Sequence, residues 1–400
     1  MKAEADTISA QSMKTPRTDF DFTPPTLREV SIRVAKVNGI NLGQGTSQIP
    51  TPPEVIKSAQ DAMQEGLNRY CPAQGVADLL KAFTKKLADF NRINVETSQV
   101  LITGGATGAF ETVVQAMVTP GDEVIMFRPF YPYHRNAVLR SRGVVKVCEL
   151  TAPNWEFNKE DFEKCFTSKT KLVVITTPNN PTGKVFTRQE LEWIGNVAKE
   201  RGVWCVVDEV YEYITYDGRR HVSLASIPGM ADSTITMGSF SKTYSITGWR
   251  VGYLSAPRKI MPQLIATSDQ LYVCAPTPFQ YSIARSLVSL HSSYYEDMRL
   301  SYEQKRDTMA ASLKKAGFEF TLPEGAYYFL VSTRKRFPKL TATEVLDLLI
   351  TKVGIGAVPT IDFVGPQAIQ DKSNDHLLRF CFSVPNDILA EASKRLESFS

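Results

Sequence analysis

Four apolar runs recur between residues 100 and 208: VLIT at 100–103, EVIMF at 123–127, KLVVIT at 171–176 and WCVVD at 204–208. They are apolar at nearly every position rather than at alternate ones, which suits strands covered on both faces and hence a mainly parallel sheet. Helix-like segments lie between them. ATGAFETVVQAMV follows the first run, and TRQELEWIGNVAKERG precedes the last, with Thr187 placed to cap and Glu190 to complete a capping box. Strand and helix alternate from about Pro53 to Val210, which predicts an α/β fold with helices flanking the sheet. Beyond about residue 290 the pattern changes. A long charged helical stretch, SSYYEDMRLSYEQKRDTMAASLKKAG, leads into short strand candidates around YYFLV and LLRFCFS and then a further helix. The expected organisation is an N-terminal arm over 1–25, an N-terminal part of a small domain over 26–52, a large domain over 53–290 and a smaller α+β domain over 291–400.

Composition narrows the function classes. Of 400 residues, 43% are hydrophobic and 22% charged, enough to bury large cores. The 46 basic and 42 acidic residues leave a net charge of +4 with no basic run, which argues against nucleic acid and membrane surfaces as partners. No apolar stretch approaches the roughly 20 residues that span a bilayer. The polar start MKAEADTISAQSMKTPRTDF lacks the apolar core of a signal peptide. A soluble, cytoplasmic protein is expected. Its six cysteines form no CxxC pair and its four histidines are isolated, so neither a disulfide framework nor a metal site is expected.

The segment richest in chemistry is SFSKTYSITGWRVGY, where Lys242 sits among Ser239, Ser241, Gly248, Arg250 and Gly252. A lysine that must react as a free amine needs burial or cationic neighbours to lower its pKa. Arg250 offers a planar fork of donors for a phosphate, and the serine hydroxyls add to it. A second anion element is GGATGAF at 104–110, where the backbone NH groups of Ala106 and Thr107 open a helix. On its own this is as well explained by a plain strand-to-helix turn. Together, lysine and phosphate cup suggest a phosphorylated aldehyde cofactor. Asp208 closes an apolar strand, where a lone carboxylate is expensive to bury, and a protonated pyridine nitrogen would be a fitting partner. Tyr211, three residues on, is placed to meet a ring hydroxyl. TTPNNPTGKVF at 176–186 sets Asn180 at a turn after a buried strand, although turn formation explains that motif equally well. All these segments follow strand candidates, and open α/β sheets bind ligands outside the carboxyl ends of their strands.

The motifs SFSKTYSITGWRVGY, NNPTG, DEVY, GGATGAF, PFYPYH, YYFL and LLRFCF occur in the order found in one family. From NLGQG at 41 onward the chain resembles the class I and II aminotransferases of the fold-type I superfamily dependent on pyridoxal 5'-phosphate. The resemblance implies that fold, with a large domain around a mainly parallel sheet and a smaller α+β domain. It makes Lys242 the Schiff-base lysine and proton carrier, Asp208 the partner of the pyridinium nitrogen, and Tyr211 and Asn180 the ring-hydroxyl contacts. Arg250, Ser239, Ala106 and Thr107 become the phosphate cup, and Tyr131 the aromatic that stacks on the cofactor ring. Arg379 in LLRFCF corresponds to the arginine that grips the substrate α-carboxylate, and Gly45 to a close backbone approach to substrate. Tyr70 in NRYCPAQG corresponds to a tyrosine that reaches the phosphate of a partner subunit, since such enzymes are typically homodimers with shared active sites.

Among subgroups, GQG, YCPAQG, PGDEVIMFRPFY and RFCFS are most similar to the kynurenine and glutamine transaminase type and to the broad-specificity aromatic or aspartate branch. The dicarboxylate-specific branch uses a second arginine, and none lies between Lys259 and Ala284. The expected reaction therefore moves the amino group of a neutral, aromatic or sulfur-containing α-amino acid to a 2-oxo acid. The same cofactor residues would also serve elimination, replacement or cyclisation, as in C–S lyases and aminocyclopropane carboxylate synthases. A cofactor-binding regulator without catalysis is a further alternative. A nicotinamide dinucleotide enzyme is set aside, because GxGxxG and its acidic partner are missing.

Overall fold

The computed structural model describes residues 26–365 and 376–399. The expected N-terminal arm lies outside them. In chain order, α1 (Thr26–Lys36) and β1 (Ile40–Asn41) are followed by α2 (Pro53–Gln64), α3 (Ala77–Lys86) and β2 (Val100–Thr103). The alternating part then runs α4 (Gly105–Met117), β3 (Glu123–Arg128), α5 (Pro132–Arg140), β4 (Val144–Glu149), α6 (Lys159–Lys164), β5 (Thr170–Thr176), α7 (Arg188–Glu200), β6 (Trp204–Asp208), β7 (Thr234–Ser239) and β8 (Gly252–Ser255). Helices α8 (Met261–Tyr272), α9 (Thr277–Ser289) and α10 (Ser293–Lys315) lead to β9 (Glu319–Phe320), β10 (Tyr328–Ser332), α11 (Ala342–Val353), β11 (Ile355–Gly356), β12 (Val358–Pro359), α12 (Ile361–Val364), β13 (Leu377–Cys381) and α13 (Asn386–Glu397).

Strands β2 to β8 form one seven-stranded sheet in the order β2-β8-β7-β6-β5-β3-β4. The pairs from β7 through β6, β5 and β3 to β4 are parallel, whereas β8 runs antiparallel to both its neighbours. Why the apolar runs are unbroken is visible in the packing. Val173, Ile175, Cys205 and Val207 enter one core with Phe162, Leu191 and Ile194 of α6 and α7. The intervening Leu172, Val174 and Val206 enter the opposite core with Val113 of α4, Val138 of α5 and Leu264 of α8. Side chains alternate between faces along a strand, so a strand covered on both sides must be apolar throughout. The capping box expected at α7 is present: Glu190 N donates to Thr187 Oγ1 at 3.2 Å, and Thr187 N donates to Glu190 Oε2 at 2.8 Å.

A separate four-stranded antiparallel sheet, β12-β13-β10-β9, contains both later strand candidates, paired so that Leu330 faces Arg379 and Tyr328 faces Cys381. Its core takes Tyr302, Met309 and Leu313 from α10, Val345 and Leu349 from α11, and Leu389 and Leu396 from α13. Residues far apart in the chain join here. Val30 and Val34 of α1 are buried in the same core, and β1 pairs in parallel with β11. The segment following β1 is thereby laid along the boundary between the two sheets. Cys381 N donates to Leu42 O at that boundary.

Candidate active site

The carboxyl ends of β5, β6 and β7 and the turns after β2 and β3 open onto one cavity of about 400 Å³. Because β8 is reversed, its amino end, with Arg250 just before it, reaches that same edge. Every residue to which the family resemblance gives a role lines this cavity except Tyr70. Tyr70 is 84% exposed, on the surface of the subunit.

Lys242 follows β7, and its Nζ donates to the carbonyl oxygen of Gly45 at 2.8 Å. Burial of the ammonium end lowers its pKa to about 8, and the charges of Arg379 and Arg250 act in the same direction. At pH 7 about one such amine in ten is neutral, against fewer than one in a thousand for an ordinary lysine.

Asp208 terminates β6 and is buried. Oδ1 accepts from Val210 N at 3.1 Å, and Oδ2 lies 3.3 Å from Nε2 of His134, which is buried in the first turn of α5. The His134 ring is tilted against Phe110 of α4 at 4.2 Å and meets the edge of Tyr131 at 5.3 Å. Each carboxylate oxygen thus has a protein partner, and the residue still lines the cavity. His134 was legible only as part of PFYPYH, and nothing in the local sequence marked it as the companion of Asp208.

The Tyr211 hydroxyl lies 2.8 Å from that of Tyr328, and both rings are buried. Burial, reinforced by that partner, holds the Tyr211 phenol well above its usual pKa, so it stays protonated as a donor. Tyr327 OH donates to Gly45 O at 3.1 Å, the carbonyl that also receives Lys242. A side chain on Gly45 would collide with the Tyr328 hydroxyl, its Cβ falling 2.3 Å from that oxygen. The backbone at Gly45 therefore lies close against Tyr328.

At the other end of the cavity, α4 begins at Gly105 with no side-chain cap, leaving its first NH groups for an anion. Arg250 lies across this turn, with Nη1 donating to Thr247 O at 2.9 Å and Nη2 to Gly104 O at 3.2 Å. The fit depends on Gly252, where an added Cβ would stand 2.4 Å from the carbonyl carbon of Gly105. Ser239 Oγ interacts with Ser241 Oγ at 2.7 Å and Val251 O at 2.9 Å, both within donating distance, and accepts from Ser241 N at 3.1 Å. These contacts pin the two hydroxyls beside the helix start.

Arg379 comes from β13 of the smaller sheet. Nη1 donates to Asn180 Oδ1 at 2.9 Å and Nη2 to Gly43 O at 2.7 Å, while the guanidinium lies 4.4 Å from the Tyr328 ring centroid. Among the described residues its buried Nε has no partner. The alternative readings of NNPTG turn out to be compatible. Asn179 builds the turn, accepting from Thr182 N at 3.2 Å and Thr182 Oγ1 at 2.8 Å, and this leaves Asn180 to face the cavity.

A lowered amine, a buried carboxylate at the cavity wall, an uncapped helix start beside an arginine, and a second arginine with a spare donor form a set that fits pyridoxal 5'-phosphate with an amino acid. The comparisons agree. The family model for aminotransferase class I and II matches residues 37–396. The chain belongs to the class I and II aminotransferases. Human kynurenine–oxoglutarate transaminase 1 is 31% identical to it over 90% of this chain and 92% of that one. The solved N-succinyldiaminopimelate aminotransferase of Mycobacterium tuberculosis superposes with a TM-score of 0.89 at 30% identity, covering 95% of this chain and 98% of that one. An Escherichia coli protein whose structure is described with a methionine aminotransferase function also reaches 0.89, at 28% identity, covering 94% and 97%. The aminotransferase thus has the fold-type I architecture, uses pyridoxal 5'-phosphate and acts on an amino acid and a 2-oxo acid. The relatives support transamination and not the lyase alternative. Among the described residues no helix is long and apolar enough to cross a membrane.

Proposed function

We propose that this aminotransferase takes its amino group from a neutral, aromatic or sulfur-containing α-amino acid and delivers it to a 2-oxo acid, with Lys242 as the working base. The observation that carries the reading is the convergence of an amine of pKa about 8, Asp208 and Arg379 on one cavity. The kynurenine, aromatic and methionine activities named for the relatives support the substrate class.

When bound, pyridoxal 5'-phosphate supplies a carbonyl that condenses with amines and a ring that withdraws electrons from the substrate α-carbon. The remaining work falls to the protein. Lys242 Nζ, neutral in a usable fraction, takes the proton from the α-carbon and can return it elsewhere. Asp208, oriented by His134 and Val210 N, keeps a ring nitrogen protonated, and Tyr211 with Asn180 orients the ring oxygen. The first turn of α4 at Ala106 and Thr107, with Ser239 and Arg250, holds the phosphate, and Tyr131 covers the ring. Arg379 grips the α-carboxylate in a bidentate pair, exchanging its resting acceptors for substrate oxygens. Gly45 gives the backbone approach, and Tyr70 completes the phosphate site of a second subunit in a homodimer. A cytoplasmic setting suits the six free thiols. Division into a large domain over 53–290 and a small one over 26–52 and 291–400 suits the two sheets and their separate cores.

The test is the visible absorption spectrum of the purified holoenzyme on adding single amino acids without any 2-oxo acid. Loss of the yellow band with one equivalent of 2-oxo acid released supports the reading and names a donor. A band that persists while ammonia or a thiol is released catalytically would replace it with elimination.

A further inference from the structure

The cavity carries more positive charge than the reading above uses. Its walls present Arg28, Arg135, Lys242, Arg250 and Arg379 against one carboxylate, that of Asp208, among the described residues. Lys242, Arg250 and Arg379 already have tasks. Arg135 is engaged with Asn136 Oδ1 at 3.5 Å and packs close to Gly365. Arg28 is different: it is exposed at the cavity wall and makes no hydrogen bond or ion pair among the described residues.

Its position is nevertheless fixed. Arg28 stands in the first turn of α1, where a cation opposes the helix dipole, so helix stability does not account for it. Ser31, one turn on along the same face, donates to Leu27 O at 2.8 Å and accepts from Asn41 Nδ2 and Gln44 Nε2, each at 3.0 Å. Val30 and Val34 anchor the other flank in the core. The helix is therefore tied to the segment 41–45, whose Gly43 and Gly45 carbonyls receive Arg379 and Lys242. A substrate held by those two residues has its side chain in a cavity where, among the described residues, Arg28 is the uncommitted cation.

Resting on the transamination reading, we infer that Arg28 reads the second carboxylate of a dicarboxylic 2-oxo acid, the amino acceptor. The segment 259–284, which lacks an arginine, is then not where acidity is recognised; α1 is. A neutral or aromatic donor makes no demand on Arg28, which remains in solvent. One cavity thereby takes two substrates of different charge.

The experiment compares Arg28→Gln and Arg28→Lys with the wild-type holoenzyme in two ways. Calorimetry measures binding of glutarate, a non-reacting dicarboxylate, against butyrate. Stopped-flow spectra follow the amino form of the enzyme reacting with 2-oxoglutarate and with 2-oxo-4-methylpentanoate. The expectation is a loss of about 10-fold or more in glutarate affinity and in kcat/KM for 2-oxoglutarate, carried by KM. Butyrate and the neutral acid should change less than about 2-fold, and lysine should restore part of the loss. Equal losses on both classes, or none on either, would overturn the assignment. Failure of amino-group exchange with glutarate binding still dependent on Arg28 would instead sink the transamination reading and leave Arg28 as the dicarboxylate reader.

Discussion

The chemistry of this site comes down to which buried polar atoms are left one partner short. Lys242 has a carbonyl to donate to but, among the described residues, no carboxylate paired with it, and its pKa falls to about 8. The pH dependence follows in sign. An unfolded lysine keeps its proton up to about 10.5, so between about 8 and 10.5 the unfolded chain binds more protons than the folded one. Stability of the cofactor-free protein should gain from this residue as pH rises through that window, with a slope on the order of 1 kcal/mol per pH unit at most. Denaturant midpoints of wild type and Lys242→Met across pH 7–10.5 measure it, and parallel curves would contradict the lowered pKa. The cavity residues given a role from the sequence were legible because each stands in a short contiguous motif. No local sequence signal marks the roles of His134, Tyr328 or Arg28. Their partners are Asp208, Tyr211 and an absent substrate, 74 positions away, 117 away and outside the chain respectively, and no local periodicity reports such pairings.

At the level of elements, strand β8 decides how the anion cradle is built. Had β8 run parallel to its neighbours, Arg250 would have been delivered to the opposite edge of the sheet. The apolar runs predicted a parallel sheet, and six of the seven strands point one way, but nothing in GWRVGYLS announces the reversal. Strand direction depends on the connecting path, and the path from Ser239 to Gly252 holds the Lys242 turn and one short 3-10 turn, with no helical crossover of the kind a parallel pair uses. The cost of the close approach falls on Gly252. Gly252→Ala should push the start of α4 outward at a cost of about 1–3 kcal/mol, felt as weaker cofactor binding as well as lower stability. Titration of the cofactor-free variant with pyridoxal 5'-phosphate, followed at the visible band, gives the answer. An unchanged dissociation constant would mean that the cradle does not depend on this contact.

Across the whole molecule, the one sequence-derived site residue standing apart is Tyr70, exposed and outside the cavity of its own subunit. A residue of that kind is accounted for if two subunits exchange it. Mixing inactive Lys242→Ala with Tyr70→Phe under conditions that let subunits exchange should create sites with both residues intact, and activity above the sum of the separate variants. Activity equal to that sum would assign Tyr70 to its own surface.

The grip and the floor of the site belong to different sheets, and this sets an order of events during synthesis. Residues 100–252, which carry the cofactor floor, leave the ribosome well before Arg379, and β1 waits for Ile355 and Gly356 before it can pair. A nascent chain halted before Leu377 would possess the amine, the carboxylate and the anion cradle, yet lack Arg379, the residue proposed to grip the α-carboxylate. The reactive amine is translated first, and the proposed grip on the α-carboxylate much later.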